Sequence, residues 1–117
     1  MIFLLEKTIR ITMLFDFYGS LLTDKQQQII KNYFYNDLSL AEIAANLEIS
    51  RQGVYDHLHR SEENLEEYES KLGLLAKYNK LRQQISELET ILVNKKFIAG
   101  NNNCELGQKL ETIKSLL

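Results

Sequence analysis

The sequence predicts an all-α fold, and three observations carry that expectation. None of the 117 residues is proline, so helices can run unbroken. Apolar residues recur at three- and four-residue steps along most of the chain, the period of a helix face. Capping signals at Thr23, Ser39 and Ser50 mark where helices begin. A hydrophobic share of 44% and a charged share of 26% suit a globular chain, and the length suits one helical domain over 1–117.

The first element follows from Leu5, Ile9, Thr12, Met13, Phe17 and Leu21 at helical spacing, with Leu14, Phe15 and Tyr18 widening the stripe. About four turns are expected, buried on much of their circumference. Gly19-Ser20 weakens the end of this helix, and Thr23-Asp24-Lys25-Gln26 opens the next, because Gln26 stands where a capping-box glutamine reaches back to the cap. Its apolar residues Ile29, Ile30, Tyr33 and Phe34 run to the turn signal Asn36-Asp37.

Ser39-Leu40-Ala41-Glu42 is a second capping box, followed by Leu40, Ile43, Ala44 and Leu47 on one face. A third cap, Ser50, opens a helix at Arg51 whose inward residues are Val54 and Leu58. Two short capped helices with a tight connection define a helix-turn-helix over 39–61. Such a motif needs a small residue where its helices cross, apolar anchors, and a cap that aims the second helix outward. Ala44, the anchors Ile43, Leu47, Ile49, Val54 and Leu58, and Ser50 meet those needs together.

Beyond Arg51 the pattern continues through Leu65, Tyr68, Leu72, Leu75, Tyr78, Leu81, Ile85, Leu88 and Leu92, a coiled-coil-like seam over 62–92. The step from Leu75 to Tyr78 to Leu81 shifts the stripe, and Gly73 lies beside it, so 62–92 is a long helix or a helix pair bent near Gly73. Composition makes 95–103 a loop, and Leu106, Leu110, Ile113 and Leu117 suggest a short last helix over 104–117. The seam either braces the N-terminal helices or joins two copies. A homodimer is the preferred reading, because helix-turn-helix proteins bind paired half-sites and a lone helix would leave apolar surface exposed.

Several function classes fall away. The net charge of -2 argues against coating nucleic acid through overall charge, so any DNA contact must come from a local patch. The lone Cys104 can form neither an internal bridge nor a metal site by itself. The run Met1 to Leu5 meets Glu6 and Lys7 before it could serve as a secretory core, and no stretch approaches a membrane span, so a cytoplasmic protein without membrane insertion is expected. His57 and His59, two apart on a helix, point in different directions with no third ligand near, so no metal site is expected. With no glycine-rich phosphate loop and no pocket signal around Glu62 and Glu66, neither an enzyme nor a cofactor is expected.

On the second helix of the motif the residues left facing outward are Arg51, Gln52, Tyr55, Asp56 and His59. Arginine can pair bidentately with guanine and glutamine with adenine, and Tyr55 can reach a thymine methyl or a phosphate. Arg60, with Lys25 and Lys31 where the fold brings them close, suits backbone phosphates. The candidate DNA-binding residues are therefore Arg51, Gln52, Tyr55, His59 and Arg60. Glu62, Glu63, Glu66, Glu67 and Glu69 follow directly and would repel phosphates wherever they faced a duplex; they are expected on a solvated face of the long helix.

The stretches Leu21 to Gln26, Asp37-x-Ser39-x-x-Glu42-Ile43-Ala44 and Ser50-Arg51-Gln52-x-Val54-Tyr55-Asp56, with Glu6-Lys7-Thr8, Leu14 to Tyr18 and Glu66-x-Tyr68-Glu69, resemble the YlxM family of small bacterial proteins over residues 5 to 75. More distantly, 21 to 61 resembles region four of bacterial sigma factors, the helix-turn-helix that reads promoter DNA. The resemblance implies a sigma-region-four-like helix-turn-helix followed by long coiled-coil-like helices, a gene beside those of the signal recognition particle GTPase or its receptor, and a regulatory part in that pathway. Gly53 departs from the family pattern, where alanine is expected, and loosens the first turns of the second helix by about 1 kcal/mol. The expected function is a helix-turn-helix DNA-binding regulator. The alternative is a protein-interaction module that binds a signal recognition particle component through its acidic helical surface.

Overall fold

The computed structural model describes residues 2–96 and 105–117; Cys104 and most of the expected 95–103 loop lie outside them. The described residues form six α-helices: α1 (Ile2–Tyr18), α2 (Asp24–Ile30), α3 (Leu40–Leu47), α4 (Arg51–Leu72), α5 (Leu74–Asn94) and α6 (Glu105–Ser115). The chain gathers into two compact units, Met1–Leu75 and Ala76–Leu117.

All three caps form. Thr23 Oγ1 accepts from the Gln26 amide at 3.2 Å while the Thr23 amide donates to Gln26 Oε1 at 3.1 Å, and Ser39 and Glu42 repeat the exchange at 3.1 Å each way. Ser50 Oγ accepts from the Gly53 amide at 2.9 Å. A short 3₁₀ turn, Gly19–Leu21, links α1 to α2. After Ile30 the helix widens into a π turn over Lys31–Tyr35, closed by the Asn36 amide on the Lys31 carbonyl at 3.0 Å. The widened turn gives Tyr33, Phe34 and Tyr35 room, and the Tyr35 ring lies 6.0 Å from that of Phe15.

The core of the first unit is built from Ile11, Leu14 and Tyr18 of α1, Leu22, Ile29 and Ile30, Ile43 and Ala44 of α3, and Val54, Leu58 and Leu65 of α4. Ser61 is wholly buried among them, its hydroxyl donating to the His57 carbonyl at 2.7 Å. The buried face of α1 corrects the expected one. Leu5, Ile9 and Leu21 of the expected stripe are 62%, 50% and 53% exposed, whereas Leu14 and Tyr18 are almost fully covered. α1 carries apolar residues almost all the way round, so hydropathy leaves its rotation undecided. Partners on α4 decide it: Lys7 meets Glu62 at 3.2 Å, Arg10 grips Glu66 through two hydrogen bonds of 2.6 and 2.8 Å, and Tyr18 donates to Glu69 at 2.6 Å. Their shared order along both helices turns the 7, 10, 11, 14, 18 face toward α4.

α4 ends at Gly73, where φ is +64° and the Gly73 amide donates to the Glu69 carbonyl at 2.8 Å. Of the two readings of 62–92, the helix pair is the one observed. In the second unit, Ile85 and Leu110 are buried together with Leu92 half-buried against them, and Lys114 forms an ion pair with Glu89.

Candidate nucleic-acid interface

α3 and α4 are joined by three residues. Glu48 takes a left-handed conformation (φ 56°), its amide returns to the Ala44 carbonyl, and Ser50 then caps α4. Ile43 and Ala44 on α3 and Val54 and Leu58 on α4 are buried, as expected from the sequence, whereas the expected anchors Leu47 and Ile49 are half-buried. With Val54 and Leu58 turned inward, helical geometry leaves Arg51, Gln52, Tyr55, Asp56, His59 and Arg60 outward, and all six are exposed.

These side chains divide into two kinds. Arg51 and Arg60 make no hydrogen bond or ion pair among the described residues, so their guanidinium groups keep their donors for a ligand. The others are tied to one another. The Gln52 amide nitrogen donates to Asp56 Oδ1 at 3.0 Å, and the Tyr55 ring lies parallel to His59, 6.1 Å between centroids and 2° between planes. His59 Nε2 is 3.1 Å from Glu63 Oε1. The first two turns of α4 also carry the positive end of a 22-residue helix dipole. Lys25 and Lys31 are exposed on α2 and its widened end.

The acidic run that follows is only in part the solvated face expected of it: Glu63 and Glu67 are exposed, whereas Glu62, Glu66 and Glu69 turn toward α1. Glu62, Glu66 and Glu69 are engaged by Lys7, Arg10 and Tyr18, Glu63 by His59, and Glu67 by Lys71 at 3.0 Å. Hydrogen bonding to Glu66 raises the Arg10 guanidinium above its ordinary value, with burial opposing, so Arg10 stays charged. Burial pushes the Tyr18 phenol up, and its bond to Glu69 adds to the rise. Tyr18 Oη also accepts from the Leu74 amide at 3.0 Å, while Glu69 Oε1 accepts from Leu75 at 3.0 Å, so α1 caps the start of α5. Sequence reasoning missed this ladder. Its signal was the matched order of Lys7, Arg10 and Tyr18 with Glu62, Glu66 and Glu69.

Among the described residues no group of three His, Cys, Asp or Glu side chains could hold a metal ion, and no helix is long and apolar enough to cross a membrane.

Fold and site together define a helix-turn-helix protein. The chain belongs to the family UPF0122, described as "Putative helix-turn-helix protein, YlxM / p13 like", whose model matches residues 5–103. It is 50% identical to a UPF0122 protein of Listeria welshimeri over 93 residues, 80% of this chain and 84% of that one. It is 44% identical to one of Bacillus mycoides over 113 residues, 97% of this chain and 99% of that one, and 43% identical to one of Bacillus thuringiensis over the same span and shares. The likeness thus extends past residue 75, where the sequence motifs stopped, and the family's description is that of a helix-turn-helix protein.

Proposed function

We propose that this protein is a DNA-binding regulator that reads duplex DNA with the first turns of α4. The observation that carries the reading is that Arg51, Gln52, Tyr55, His59 and Arg60 are exposed together on the outward face of a helix anchored by Val54 and Leu58 and capped by Ser50. Arg51 and Gln52 stand in the first turn, where a recognition helix meets base edges, and Arg60, further along, suits a phosphate. Resemblance to the YlxM family suggests the signal recognition particle pathway as the setting.

The rival reading, an interaction module using an acidic helical surface, is weakened because Glu62, Glu66 and Glu69 bind α1. Glu66→Lys would therefore disturb α1 packing before any partner was tested.

Salt-dependent binding to a selected duplex separates the roles. Arg51→Ala is expected to weaken the preferred site by roughly ten- to a hundredfold and to relax its sequence preference. Arg60→Ala should weaken all sequences alike and reduce the salt slope by about one unit. Equal effects of both variants on every sequence would refute base reading by Arg51.

A further inference from the structure

α5 carries two apolar stripes, and only one is covered. Ile85 and Leu92 pack with Leu110 of α6. Leu74, Leu81 and Leu88, seven residues apart, are 41%, 46% and 47% exposed, and Ile91 is 52% exposed. With Lys77 and Gln84 they complete an alternation of three- and four-residue steps from 74 to 91, which is one half of a two-stranded coiled-coil seam. Isolated exposed leucines need no explanation, but a heptad-spaced row over three turns of the repeat does.

We propose that this stripe is closed by α5 of a second copy of the chain running antiparallel. Charge fixes both occupant and direction. The first half of α5 carries Lys77, Lys80 and Arg82, and the second half Glu87 and Glu89. Lys77, Lys80 and Glu87 are exposed along the seam or its open flank, away from the α6 side. A parallel pair sets Lys77 against its own copy in the seam, and it turns the flank of Lys80 and Glu87 toward the flank of Ile85 and Leu92, which α6 already covers. An antiparallel pair centred near Arg82 and Gln83 brings Lys80 beside Glu87 of the second copy, twice by symmetry. It also sets Leu74 against Ile91, Leu81 against Gln84, and Leu88 along the aliphatic stem of Lys77. The interface is independent of DNA and of the recognition helix.

Analytical ultracentrifugation of the full chain, with a spin label at Asn94→Cys in a Cys104→Ser background, tests both parts. The expected result is a dimer in which the two labels stand about 35 Å apart along the axis, from a rise of 1.5 Å per residue. Leu81→Glu with Leu88→Glu should raise the dissociation constant roughly thirtyfold or more, with helicity by circular dichroism unchanged because both side chains are exposed. Lys80→Glu alone should weaken the dimer by about three- to tenfold, and adding Glu87→Lys should restore it. A wild-type chain that stays monomeric at tens of micromolar, a dimer insensitive to the leucine changes, or labels about 10 Å apart at helix-packing distance would each overturn the proposal.

Discussion

Two residues at the helix-turn-helix depart from what local preference would choose, and each has a measurable consequence. Glu48 sits at φ 56° with a side chain that disfavours the left-handed region. Glu48→Gly is expected to raise stability by about 0.5–1 kcal/mol, read as a higher Tm, because glycine adopts that conformation without strain. Gly53 is the converse case. A Cβ there would stand 3.1 Å from the Ser50 hydroxyl oxygen, close enough that the capping side chain must shift by a few tenths of an ångström. Ser50 is exposed and can make that shift, so Gly53→Ala should still gain up to about 1 kcal/mol of helix propensity. Ser50→Ala, which leaves the Gly53 amide without its acceptor, should cost about 1 kcal/mol in the same assay. The caps were legible in the sequence because a cap involves residues three apart and little else. The tie between Gln52 and Asp56 is equally local, and was missed because Asp56 was read only as an outward-facing residue.

At the scale of elements, the contact between α1 and α4 is polar at its rim and apolar at its centre, and Tyr18 joins the two. Its phenol oxygen donates to Glu69 and accepts from Leu74. Tyr18→Phe should destabilise the fold by about 1–3 kcal/mol in denaturant unfolding, since it strips a partner from a carboxylate and from a backbone amide. Burial of that phenol, with the bond to Glu69 adding to it, gives a pH signature. The folded-state phenol value is raised above its ordinary value near 10, so the native state holds the proton more tightly. Stability is then fully present below pH 10 and falls as pH rises toward the folded-state value, and Tyr18→Phe should flatten that fall. A wild-type and variant with the same alkaline slope would show that the slope arises elsewhere. The rotation of α1 was not legible from hydropathy, because the cations Lys7 and Arg10 read as solvent-facing until the acids of α4 are placed beside them. The break at Gly73 was legible as a position, whereas the choice between a bend and a full stop depends on its left-handed backbone.

At the scale of the whole molecule, helix content and the helix-turn-helix were readable because both rest on local periodicity and capping. The division into two compact units was not, since the unbroken run of apolar residues through 62–92 looks the same whether one helix or two carry it. The outward exposure of Arg51, Gln52, Tyr55, His59 and Arg60 was legible once Val54 and Leu58 fixed which side of α4 faces inward. The acidic run was read as a surface, although most of its members serve α1. These features support the proposed DNA-reading role: a capped, outward-facing helix with two unengaged arginines, followed by an acidic run whose members are engaged by α1, His59 and Lys71. The most direct measurement is fluorescence anisotropy of the full chain against genomic-fragment pools and random duplex DNA at one fixed salt concentration, with Arg51→Ala alongside. The expected result is tight, site-selective binding that the variant loses; equally weak binding of every duplex by both proteins would contradict the account.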